Sequence, residues 1–173
     1  MQFMLLIKGN NKYSVEDKKS RTLYTIKKKG FGNNNRLVLL DASNYHLYTL
    51  ITSSVDSLSY SVILNDDIFM RINCKSKFLD PTIECKNNDI SYRLVSKNSR
   101  DFTIMDGEEQ KGIIETSISA SGELQYDLDI NDKIFDDYIP LFAVVIDKIF
   151  GDANRQPKVM EQIAKEKRQK NKE

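Results

Sequence analysis

Tryptophan is missing from this chain, histidine occurs once, cysteine twice, and neither sign of charge is in clear excess. Each shortage removes a class of function. A lone histidine, His46, builds neither a His-rich metal centre nor a Ser–His–Asp triad. It lies in an alternating stretch and reads as an ordinary strand histidine. Lysine plus arginine is 26 and aspartate plus glutamate is 25. A nucleic-acid surface needs a basic excess, so none is expected. A hairpin turning near Ser76 to Leu79 would set Cys85 beside Phe69 rather than beside Cys74. No disulfide is therefore expected, and buried free thiols fit a reducing cytoplasm. The first residues, MQFMLLIKGNN, carry no basic segment ahead of a short apolar run, unlike a signal peptide. They read as a first strand.

The most apolar run is DYIPLFAVVIDKIFGD, Asp137 to Asp152. A membrane span needs about 20 apolar residues. The stretch from Tyr138 to Phe150 falls short, and Asp147 and Lys148 interrupt it at a cost a bilayer does not forgive. An integral membrane protein is not expected. A chain of 173 residues is sized for one domain with a substantial core. Its richness in Asn, Lys and Ile, with no Trp, suits an AT-rich bacterial genome.

What is present is alternation. KYSVEDK, RTLYTIK, YSVILND, IFMRINC, ISYRLVS, DFTIMD, KGIIETS and ELQYDLDI alternate apolar with polar residues. They are parted by turn chemistry such as DASN, KNND, KNSR, DGEE and SASGE. Asp106-Gly107 is the sharpest hairpin signal. Three strands end in aspartate before a short polar turn, at Asp17, Asp41 and Asp106, where the carboxylate is suited to cap backbone N–H groups. About twelve strands at this spacing indicate an all-β barrel or sandwich.

The apolar run decides between them. Ile139, Leu141, Phe142, Val144, Val145, Ile146, Ile149 and Phe150 cover every direction of a helical wheel, so the helix must be enclosed. A barrel of about eight strands fills itself, whereas about twelve leave room for a helix roughly 10–12 Å wide. The expected fold is mainly β: a closed barrel of about twelve antiparallel strands around a central C-terminal helix at about 136–150. Asp136 or Asp137 would cap that helix, Pro140 suits its first turn, and Gly151 would follow its end. Asp147 then falls in the last turn, against the helix dipole, so donors are expected around it at the rim. Its other reading is a carboxylate that contacts a ligand. Residues 1–152 form the barrel unit, and the charged tail 153–173 is expected as a helix or as disorder.

Hairpins of the YSVED…LYTI and LVLLD…LYTL type, then RDFTIMDGEEQKGIIE, then YDLDI before FAVVIDKIF, resemble the LURP-one-related family over roughly Met1 to Asp152. That family belongs with the Tubby C-terminal domains and phospholipid scramblases. The resemblance implies a twelve-stranded barrel around a hydrophobic helix. It also implies a non-enzymatic role at lipids or protein partners, with a calcium-responsive, scramblase-like activity as the alternative.

Two clusters are candidates for chemistry. Lys18, Lys19, Arg21, Lys27, Lys28 and Lys29 lead into KGFGNNNR and are expected to hold a lipid phosphate, if they do not merely protect a strand edge. GFG matches neither a dinucleotide nor a P-loop motif. Asp127, Asp129, Asn131 and Asp132 copy the first half of a calcium loop, but Asp132 stands where Gly is wanted and Tyr138 where the bidentate Glu is wanted. The competing reading is the solvent face of a strand. The expectation is a binding module without a cofactor, cytoplasmic and at most peripheral at the membrane. Its partner would be an anionic phospholipid surface or a protein. The basic tail residues Lys165, Lys167, Arg168 and Lys170 would add attraction.

Overall fold

The protein is described by a computed structural model over residues 1–30 and 36–172. Twelve strands run in order: β1 (Gln2–Gly9), β2 (Lys12–Glu16), β3 (Thr22–Lys28), β4 (Arg36–Asp41), β5 (His46–Thr52) and β6 (Ser59–Leu64) come first. They are followed by β7 (Asp67–Ser76), β8 (Thr82–Lys86), β9 (Ser91–Ser96), β10 (Phe102–Asp106), β11 (Glu109–Ile118) and β12 (Leu124–Ile130). Two helices close the chain, α1 (Pro140–Asn154) and α2 (Pro157–Lys170).

Each strand pairs antiparallel with its sequence neighbours, and β1 pairs with β12, which closes the barrel. Closure leaves no unpaired edge. The alternation seen in the sequence is the alternation of the wall. Along β12, Leu124, Tyr126, Leu128 and Ile130 point inward while Gln125, Asp127 and Asp129 point out. Register shifts at Ile7–Gly9, Val15–Glu16 and Leu39–Leu40 are bulges of the kind that curves a sheet. The turn after β7 spans residues 77–81, and a bulge at Cys74–Ser76 resets the pairing. Cys85 therefore faces Ile72, not Phe69, and both cysteines are free.

An up-and-down barrel sorts its connections to two ends. Turns that follow even-numbered strands lie at the near end, where the chain enters α1. Turns that follow odd-numbered strands lie at the far end, where α1 leaves. The helix fills the lumen, and Leu141, Phe142, Ala143, Val144, Val145 and Ile146 are all fully buried. Phe142 packs on Tyr92 and Tyr138, and Phe150 on Phe102.

Both ends of α1 differ from expectation. Neither aspartate caps it. The first turn is tightened instead, with Leu141 and Phe142 N–H groups donating to the carbonyls of Tyr138 and Ile139. Gly151 lies inside the helix, which continues to Asn154. A short break leads to α2, which folds back along the outside of the barrel against β11, with Ile163 buried beneath it. No helix among the described residues is long and apolar enough to cross a membrane.

Candidate functional site

Asp147 is the polar centre of the far end, two turns inside α1 and only 7% exposed. The donors its position demanded come from three directions. Its Oδ2 accepts the Tyr13 hydroxyl of β2 at 2.9 Å, and its Oδ1 accepts the Tyr126 hydroxyl of β12 at 2.9 Å. Arg155, just past the helix, donates Nη2 to Oδ1 at 2.5 Å. Burial, reinforced by the Asp147 charge, pushes both tyrosine hydroxyls above their ordinary range. Gly151 is explained here. A Cβ at that position would lie 2.5 Å from both Asp147 Oδ1 and Arg155 Nη1, so any side chain there would require the carboxylate or the guanidinium to move. Next to this pair, Lys148 donates to Asn11 at 2.8 Å, and burial lowers its ammonium. With three donors on it, Asp147 works as a clamp between helix and wall rather than as a free acid or base.

The near end repeats the device. Asp137 accepts the hydroxyl of Tyr24 from β3, whose proton is likewise held by burial and by that bond. Tyr48, Phe69 and Tyr138 form an aromatic cluster beside it, with ring centroids 5.3–6.0 Å apart. The helix is thus pinned at both mouths.

The basic run singled out in the sequence does not form one patch. Lys18, Lys19 and Arg21 occupy the near-end turn between β2 and β3, and Lys27, Lys28 and Lys29 stand at the opposite end of β3. A seven-residue strand holds the two groups about 20 Å apart. In the near-end turn, Asp17 accepts the Lys19 and Arg21 N–H groups and pairs with Arg21 Nε at 2.7 Å, which lowers its carboxyl. Of the loop KGFGNNNR, residues 31–35 lie outside the described residues.

The acidic run is also dispersed. Asp127 pairs with Lys167 of α2 at 3.0 Å, Asp129 accepts the Gln2 amide at 3.2 Å, and Asp132 meets the amino group of Met1 at 2.6 Å. Asn131 closes its own turn on the Lys133 N–H. Asp127 and Asp129 alternate on the outer face of β12, so their carboxylates do not converge with Asn131 and Asp132 as calcium ligands would. Among the described residues no group of three His, Cys, Asp or Glu side chains is placed to hold a metal ion. Two of the tail lysines are engaged as well: besides Lys167, Lys170 pairs with Glu115 at 3.0 Å. These bonds fasten α2 to the wall and take two charges away from any outward attraction.

A second group of lysines was not singled out in the sequence. Lys75 near the end of β7, paired with Glu84 at 3.8 Å, and Lys77 and Lys97, on the β7–β8 and β9–β10 connections, stand exposed at the far end and join Lys27, Lys28 and Lys29 on the same rim, with Asp56 and Asp80 exposed among them. The near-end turns of the same wall are acidic, with Asp66, Asp67, Asp89, Asp106, Glu108 and Glu109 all exposed. The signal was present in KSKFLD and SKNSR. It became legible only once every second turn was known to share an end.

A family model described as LURP-one-related matches residues 3–147. The chain is similar in fold to a protein from Arabidopsis thaliana solved by X-ray crystallography. The TM-score is 0.61 and the identity 17%, over 89% of this chain and 91% of that one. No curated protein sequence matches the chain.

Proposed function

The chain belongs to the LURP-one-related family, and on that footing we propose that it is a non-enzymatic binding module that docks on anionic phospholipid headgroups. The observation that carries this reading is the gathering of Lys27, Lys28, Lys29, Lys75, Lys77 and Lys97 at one end of a barrel whose other end is acidic. Because α1 occupies the lumen, a partner must be met on the outside. Each lysine close to an anionic membrane contributes about 1 kcal/mol. Three seated at once give roughly 3 kcal/mol, enough for weak, reversible association at the membrane surface. Lys18, Lys19 and Arg21, in the near-end turn before β3, play at most a secondary part. The setting this implies is cytoplasmic, with peripheral attachment.

Cosedimentation with vesicles tests it. Protein should pellet with vesicles containing phosphatidylglycerol, stay in solution with pure phosphatidylcholine, and be released as salt rises. Equal recovery with both lipids, or none with either, would refute the electrostatic docking.

A further inference from the structure

The same basic end carries the most exposed large apolar side chains of the described residues. Val55, in the β5–β6 connection, is fully exposed, and Phe78 and Leu79, in the β7–β8 connection, are 86% and 84% exposed. These connections belong to adjacent hairpins. They lie away from β11, the strand that α2 packs against, which is three to four strands from the β7–β8 connection and five to six from the β5–β6 connection in the ring. The apolar tips are therefore unobstructed and share one side of the rim.

Their backbones are organised. Ser54 Oγ accepts the N–H groups of Leu58 and Ser59 at 3.2 and 3.0 Å, and Asp56 accepts Leu58 N–H at 3.1 Å, which holds Val55 at the apex of a closed turn. In the next connection Ser76 donates to the Leu79 carbonyl at 2.5 Å. The Lys77 ammonium lies over the Phe78 ring, 5.9 Å from its centroid. Apolar tips that protrude from a lysine-rich rim match the layering of an anionic bilayer. The headgroups carry the negative charge, and the acyl boundary just beneath accepts Phe, Leu and Val.

We propose that the far end inserts Phe78, Leu79 and Val55 into the interface of an anionic membrane, so that the barrel stands end-on with its acidic near end turned away. This inference rests on the anionic-lipid reading above and adds an orientation and an apolar anchor to it. A protein partner is the less favoured occupant, because exposed lysines at this end outnumber the exposed carboxylates beside the tips, Asp56 and Asp80.

The absence of tryptophan supplies the test. Phe78→Trp places a single reporter at the tip. Tyr45→Trp places one at an exposed position in a near-end turn, between β4 and β5. On adding phosphatidylglycerol vesicles, the Phe78→Trp emission should shift to the blue and be quenched by brominated lipid, while the Tyr45→Trp emission should stay unchanged. The double variant F78S/L79S should partition onto these vesicles at least about tenfold more weakly, since full burial of each side chain is worth at least a factor of ten. Its thermal unfolding should match the parent, because both residues are exposed. If the protein pellets with the vesicles but the Phe78→Trp emission does not move, or F78S/L79S binds as the parent does, insertion is overturned and surface docking stands. If nothing pellets, both readings fall.

Discussion

Asp147 shows how one side chain organises its neighbourhood. A buried carboxylate needs partners, and it recruits Tyr13, Tyr126 and Arg155, while Gly151 clears the path between the two charges. Replacing Gly151 by Ala should therefore reverse the usual rule. Helix propensity alone would favour alanine by about 1 kcal/mol. The Cβ would instead force apart a pair held at 2.5 Å, and overpacking of this kind costs about 1–3 kcal/mol. A urea titration should show Gly151→Ala less stable than the parent, and equal or greater stability would mean that the pair tolerates separation. The tyrosines set the response to alkali. In the folded chain Tyr13, Tyr24, Tyr60, Tyr126 and Tyr138 hold their protons above the ordinary value near 10. Above that pH the unfolded chain loses protons that the folded chain keeps, so stability falls as pH rises. Melting temperature should be flat below about pH 9 and drop beyond pH 10, with the tyrosinate of these five appearing together with unfolding. Tyrosinate forming at any of these five in the folded protein near pH 10 would contradict this. That Asp147 needed donors was legible from its place on an apolar helix. Which donors was not, because Tyr13 and Tyr126 lie on strands far from it in the chain. Asp17 and Asp41 were simpler, since an Asx turn takes its partners from residues two and four further along.

Strands were readable because a half-buried wall writes a period of two into the chain. Helix limits were less so. Gly151 has the composition of a stop signal, yet here it makes room for an ion pair inside the helix. The basic run misled for another reason: nearness in sequence across a strand is distance in space, so Lys18 and Lys29 sit at opposite mouths. At α2 the attachment rests on Ile163, on Arg100–Glu166, whose arginine is buried, and on two ion pairs at the surface, Lys167–Asp127 and Lys170–Glu115. Exposed pairs of this type are each worth about 0–1 kcal/mol, and a helix of 14 residues is marginal alone. Ile163→Asp should thus release α2 without unfolding the barrel. Hydrogen exchange should become fast across residues 157–170 while strand amides stay protected. Loss of protection throughout the barrel would show that α2 is part of the core rather than a strap.

For the whole molecule, two properties follow from closure. A sealed sheet with a helix inside leaves only the outside for recognition, and an up-and-down path sorts turns so that lysines predominate at one end and carboxylates at the other. The first was legible in the sequence, because a helix apolar on every side needs walls and twelve strands are enough to supply them. The second was not, because charge polarity depends on the parity of turns along the whole chain. If α1 fills the lumen for the lifetime of the folded state, its central amides have no route to solvent short of global unfolding. Residue-resolved hydrogen exchange of Phe142 to Ile146 decides the matter. Opening free energies equal to those of the slowest strand amides, falling in parallel with them in denaturant, are the predicted result. Faster exchange of α1 than of the strands around it would mean that the helix leaves a standing barrel, and that recognition has an interior site after all.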